Sequence, residues 1–256
     1  MSKIYQLLIL SAFLCVTSTM QAQKIGIRAG VNFSNMKITN NHPIMGATPH
    51  NKMGAHFEMM TDFALSSNFS IESALGISTK GYQVKVDDYK PISGLKYTTT
   101  GKRSMNYLDI PLRIKMQTTN SFAKYFVALG SQMSIGLTGK WQTEKIITEK
   151  STIESKQVYW NDVDDVNSFK RLDFGYFIGL GAEINTLLVE LSYSGSLGNL
   201  SATSDLGNIA KNQVFSLSVG RYLLRRVQNT TEKELMRSSR FEVIKKRKGI
   251  RSQQYL

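Results

Sequence analysis

The side chains best suited to acid–base work near neutral pH are three histidines, at positions 42, 50 and 56 of a 256-residue chain. His56 stands two residues from Glu58, so on a strand the two share a face, and a base beside a carboxylate is part of a hydrolytic triad. No nucleophile is placed beside the pair, and a base alone is not a triad. Asn161-Asp162-Val163-Asp164-Asp165 gathers oxygen ligands that suit calcium, but the glycine and distal glutamate of a calcium loop are missing. No phosphate-binding glycine loop and no zinc spacing occurs. Cys15 is the only cysteine. It lies in a segment expected to be removed, so the mature chain offers no disulfide, thiol nucleophile or thiolate ligand. The expectation is a chain with no catalytic, cofactor-binding or metal residues.

The elements that would position such groups begin with an export signal. Lys3 supplies a positive start, Ile4 to Val16 is apolar, and Met20-Gln21-Ala22 ends in a small residue, so residues 1–22 are expected to be cleaved. The apolar run is shorter than the roughly 20 residues a membrane helix needs, and no second long apolar segment follows. From Lys24 onward the pattern has period two. In Leu108, Ile110, Leu112, Ile114 and Met116 one face is apolar, while Tyr107, Asp109, Arg113 and Lys115 line the other. Eight such runs are legible, beginning near Lys24, Met53, Phe69, Tyr107, Tyr125, Arg171, Val189 and Gln213.

The connections alternate in length. Leu65–Asn68, Gln117–Ser121 and Asn185-Thr186 are short, whereas 34–52, 81–103, 139–169 and 195–212 are long. Short turns at one end and long loops at the other are the layout of an outer-membrane barrel, in which a closed sheet pairs every backbone group where lipid cannot. The expected fold is all-β: an eight-stranded antiparallel transmembrane β-barrel over residues 23–223, with a basic tail over 224–256. The last strand should pair with the first. An eight-stranded barrel is filled by side chains, here Arg28, Glu58, Asp62, Glu72, Asp109, Arg113, Lys115, Arg171, Asp173, Glu183 and Glu190. Both signs are present, so they can form a paired lumen network. Aromatics near strand ends (Phe33, Phe63, Phe69, Tyr107, Tyr125, Phe174, Tyr193 and Tyr222) are expected as interfacial girdles. Pro111 removes a ladder donor in mid-strand, which predicts a bulge or kink.

Met105-Asn106-Tyr107-Leu108-Asp109-Ile110-Pro111-Leu112-Arg113-Ile114-Lys115 resembles a characteristic strand of the PorT-like outer-membrane β-barrel family of Bacteroidetes. Gly26-Ile27-Arg28-Ala29-Gly30-Val31-Asn32-Phe33-Ser34 resembles that family's first strand, and Ala22-Gln23 its usual cleavage site. The likeness runs from about Gln23 to Leu223. It implies the barrel fold and the outer membrane of a Gram-negative cell, and it assigns no activity.

The formal charge of +13 is uneven. Ten Lys/Arg against three Glu give residues 224–256 a net +7 and leave +6 for the rest. Thr231 and Glu234 have the spacing of a capping box, so a short helix is one reading of the tail and a disordered extension the other. Export argues against nucleic acid as the partner of its Lys245-Lys246-Arg247-Lys248 run. Expected partners are outer-membrane lipid and lipopolysaccharide, with a periplasmic or envelope protein for the tail. The leading function is a non-enzymatic structural or interaction barrel. The alternatives are a rim enzyme acting on lipid A or peptides, and a partner of a secretion machine.

Overall fold

The computed structural model describes residues 23–39, 49–90, 95–118, 123–147, 150–162, 168–202 and 209–225. The signal segment, the tail beyond Arg225, His42 and Val163–Asp165 lie outside the described residues. The chain divides into Lys24–Leu224 and a second unit of Met1–Gln23 with Arg225–Leu256. The first unit carries the sheet.

The strands are β1 (Gln23–Thr39), β2 (Pro49–Ala64), β3 (Phe69–Lys90), β4 (Leu95–Gln117), β5 (Ala123–Ile147), β6 (Lys150–Gln157), β7 (Leu172–Ile184), β8 (Leu187–Ser196) and β9 (Ile209–Arg225). They form one nine-stranded antiparallel sheet in the order β4-β3-β2-β1-β9-β8-β7-β5-β6. A further pairing of β4 with β5 closes it into a ring. β1 lies beside β9, as expected for the first and last strands. β6 pairs with β5 alone, through Lys140↔Gln157 to Ile147↔Lys150.

β6 is a ninth strand beyond the eight expected, and it lies in 139–169, read above as loop. Much of 81–103, also read as loop, is strand that lengthens β3 and β4. β3 and β4 stay paired from Phe69↔Met116 out to Lys90↔Leu95, and β4 and β5 out to Tyr97↔Ile147. Thr98-Thr99-Thr100 and Ser151-Thr152 suit a strand that is polar on both faces, which leaves no period for the sequence to display.

The turns at the other end are tight. Ile184↔Leu187 closes β7 onto β8 through two residues. Asn185 takes φ 56° there, a left-handed conformation that asparagine tolerates better than most residues. Pro111 makes no bulge. Its pairing with Gln132 of β5 continues in register, and only the β3 ladder lapses, between Ser73↔Leu112 and Gly76↔Asp109. The register shift of β4 against β5 falls instead at Asn106/Tyr107.

The two faces of the ring are inverted relative to a water-soluble sheet. Along β4, Leu112, Ile114 and Met116 are 54–60% exposed, while Asp109, Arg113 and Lys115 between them are at most 5% exposed. The same holds on β5 and β7, where Tyr125, Leu129, Phe174, Ile178 and Leu180 are exposed. Two apolar clusters lie inside. Met60, Ala74, Phe126, Phe177 and Leu188 fill the short-turn half. Met36, Tyr82, Met105, Tyr107, Val158, Phe169 and Leu200 fill the long-loop half. The second cluster is completed by segments folded between the strand ends, where Trp160 bridges to Phe169 and Phe169 to Ser201. Gly136 makes room for this, since a Cβ there would strike the Trp160 ring.

Candidate functional site

Between the two apolar clusters lies a network of charges. Alternation on β1, β2, β3, β4 and β8 turns Arg28, Glu58, Glu72, Arg113 and Glu190 inward, and closure of the ring brings them within bonding distance. Arg28 is 1% exposed and donates to Glu58 at 2.7 Å, Glu72 at 2.9 Å and Glu190 at 3.0 Å. Glu190 is 162 residues away on β8, so the guanidinium reaches across the interior. Arg113 donates to Glu72 at 2.7 Å and lies 3.5 Å from Glu58. Its guanidinium also sits 3.9 Å from the Phe177 ring centroid, a cation–π contact.

Towards the short turns, Lys115 donates to Asp62 at 2.8 Å and to the Tyr222 hydroxyl at 3.0 Å, and Tyr222 in turn donates to Asp62 at 3.0 Å. Lys24 pairs with Glu183 at 2.7 Å. Towards the loops, Lys80 donates to Asp109 at 2.8 Å and to Ser134 at 2.9 Å. Asp173 accepts from Ser196 at 2.8 Å and from Asn212 at 3.1 Å. Buried charges of this kind are tolerated only when paired and hydrogen-bonded, and eight strands contribute to the pairing.

Of the eleven residues expected in the lumen, ten point inward and are buried. Arg171 is the exception. It is exposed and precedes β7, and its backbone N–H donates to the side-chain oxygen of Asn161 at 3.0 Å. The alternation of charge continues to Arg171, but the strand does not. Three lumen cations were absent from the expected set: Lys24, Lys80 and Arg103. Lys80 has the parity of Glu72 and could have been included on that signal. Arg103 fell in a stretch read as loop; its guanidinium lies 4.4 Å from the Trp141 ring and 4.8 Å from Phe169. Tyr107 and Tyr222 are corrected as girdle residues. They are 0% and 3% exposed and face inward, which their parity with Asp109 and Gly220 already implied.

His56 does not bond to Glu58. Its Nδ1 lies 2.7 Å from the Asn32 side-chain oxygen and its Nε2 3.0 Å from the Ser218 hydroxyl. Ser218, His56 and Asn32 thus stand in the order of a nucleophile, a base and its orienting group, but Ser218 and Asn32 are each 2% exposed, and the cluster is shut inside the ring away from any substrate. A cavity of about 30 Å³ adjoins it, lined in part by Glu58, Lys80, Asp109 and Arg113. A space of that size suits ordered water. His50 is exposed on β2. Among the described residues, no group of three or more His, Cys, Asp or Glu is placed to hold a metal ion.

A closed antiparallel ring, apolar outside and charged inside, defines the class as a β-barrel of membrane type. Residues 21–202 match the family described as outer membrane protein beta-barrel domain. The chain belongs to that family, and its place is the outer membrane.

Among solved structures it is similar to Ail, the attachment invasion locus protein of Yersinia pestis, at 14% identity and a TM-score of 0.34, covering 79% of this chain and 99% of that one. It is also similar to Neisserial surface protein A, at 8% identity and a TM-score of 0.33, covering 78% and 97%. The translocator domain of the autotransporter NalP from Neisseria meningitidis follows, at 8% identity and a TM-score of 0.24, covering 85% and 96%. Likeness this distant says nothing about function, and membership rests on the family match. No curated protein matches the chain.

Proposed function

We propose that the chain is a non-enzymatic integral outer-membrane protein: an eight-stranded transmembrane barrel with a plugged lumen, playing a structural or interaction role through its long-loop end. In this reading β6 is a hairpin strand outside the membrane, and β1–β5 with β7–β9 form the wall. The observation that carries it is the inversion of faces on single strands, with Leu112, Ile114 and Met116 exposed beside buried Arg113 and Lys115. Lipid is the solvent that such an outer face suits.

The same reading places residues 1–22 as a cleaved signal and the basic residues beyond 223 on the periplasmic side, where an envelope protein or anionic surface is their partner. β9 continues to Arg225, two residues past the boundary read from the sequence. The NYLDIP segment supports a PorT-like, Bacteroidetes affinity within the broader family. The burial of His56 and Ser218, beside a cavity with room only for water, argues against a hydrolytic centre in the lumen.

The plug has a direct test. Purified barrel in a planar bilayer should show no steady conductance, because the Arg28–Glu72–Arg113 network and the apolar clusters on either side of it fill the interior. Large stable open steps would mean a water-filled pore and would overturn the reading.

A further inference from the structure

On the outward face of β3–β5 the apolar band ends at a line of hydrogen-bonded polar side chains. Thr79 donates to the Asn106 side-chain oxygen at 2.8 Å, and the Asn106 amide donates to the Thr138 hydroxyl at 3.0 Å. The three stand opposite one another in register. On one side of the line the outward residues are Ile77, Leu108 and Leu137. On the other side they include Lys102 and Lys140.

Lys140 reaches this face through the register shift. Nearer the short turns the outward residues of β5 are odd-numbered, Tyr125 through Leu137, so simple alternation would turn residue 140 inward. The shift at Asn106/Tyr107 makes Thr138 a second outward residue directly after Leu137. Beyond it, Gly139 faces Met105 and Val158, and Trp141 covers Arg103, both inside. Lys140, between them, is exposed.

Lys102 is opposite Gln142, and Lys140 opposite Ser104. The two lysines are therefore diagonal neighbours, with α-carbons roughly 7–8 Å apart. The outward positions around them carry amides and a hydroxyl (Gln83, Ser104 and Gln142). Glu144 is the other diagonal neighbour of Lys102 on β5, on the side away from the apolar band, and its carboxylate accepts from Ser151 at 3.0 Å. Two exposed ammonium groups on one face, with amides beside them, can share an anion between them.

We propose that Lys102 and Lys140 form a binding site for the phosphate of an acylated outer-leaflet glycolipid of the lipid A type. The proposal rests on the transmembrane reading above. An amphiphile fits better than a free anion because the apolar band begins one step away on the same face. Acyl chains lying on Leu108 and Leu137 bring a headgroup phosphate level with Lys102 and Lys140. Gln83 and Gln142 supply neutral donors to its remaining oxygens.

The test uses the full mature chain in nanodiscs loaded with phosphorylated or dephosphorylated lipid A, with native mass spectrometry reading the lipid retained. Lys102→Gln with Lys140→Gln should weaken retention of phosphorylated lipid A by about fivefold per lysine and about 25-fold together. Retention of dephosphorylated lipid should not change, and Lys102→Arg with Lys140→Arg should restore the wild-type value. Inorganic phosphate should not compete at millimolar concentration. Unchanged retention in the glutamine variant, equal loss with both lipids, or displacement by free phosphate would each overturn the site. Heat-modifiable migration on gels is read in parallel. Its absence in the wild-type protein would sink the barrel reading itself, whereas an intact barrel with unchanged lipid retention removes only the site.

Discussion

Arg28→Ala should be the most damaging single substitution in the lumen, lowering stability by about 3–5 kcal/mol. The guanidinium holds Glu58, Glu72 and Glu190 at 2.7–3.0 Å, and Glu72 and Glu190 are at most 1% exposed. Its removal leaves Glu190 without its ion-pair partner and leaves Glu58 with Arg113 alone, at 3.5 Å, while Glu72 keeps Arg113 at 2.7 Å and Lys115 at 3.4 Å. Arg113→Ala should cost less, because Arg28 still reaches both of those carboxylates. Pairing Arg28→Ala with Glu190→Gln should recover part of the loss by removing the stranded charge. Denaturant midpoints in lipid vesicles, read by the heat-modifiable gel shift, give the order. Equal and small effects from Arg28→Ala and Arg113→Ala would mean that the network is hydrated and does not hold the interior.

A charge on the other face should fail for the opposite reason. Ile178 is central in β7, 48% exposed, and opposite Leu129 and Tyr193 on the neighbouring strands. If that surface meets hydrocarbon, Ile178→Arg should cost about 2–4 kcal/mol, as a cation does near the midplane of a barrel wall. Thr138→Arg makes a similar change on the outward face at the edge of the apolar band and should cost at most about 1 kcal/mol. A depth-independent result would show that the exposed apolar band does not face lipid.

Much of the ring was legible because an apolar outward face alternates with a charged inward one, and Leu108 to Met116 displays that with little interruption. The legible part ends where the apolar band ends. Beyond the band the outward face turns polar while Tyr82, Val84, Met105 and Trp141 still face the interior, and polar stretches such as Thr98-Thr99-Thr100 and most of β6 break the period. Arg103 was missed there although its side chain belongs to the interior. Arg171 was misplaced because charge alternation continues one residue past the point where the chain leaves the sheet. The partners within the network were not legible at all. Arg28 finds Glu190 only because the ring closes, and parity cannot report a distance across it. The turn of Lys140 to the outside depends on one register shift, which sequence alternation conceals.

The most direct test of the inverted ring is a cysteine scan of β4 from Leu108 to Gln117. Cys15 is the only cysteine in the sequence and lies in the segment expected to be cleaved, so each introduced thiol is then unique. Spin labels in lipid bilayers report oxygen collisions, which mark hydrocarbon, and collisions with a water-soluble relaxant. The expected pattern has a period of two, with high oxygen access at Leu108, Ile110, Leu112, Ile114 and Met116 and little access to either reagent at Asp109, Pro111, Arg113 and Lys115. Uniform access along the strand, or water access at the residues with leucine and isoleucine, would contradict it.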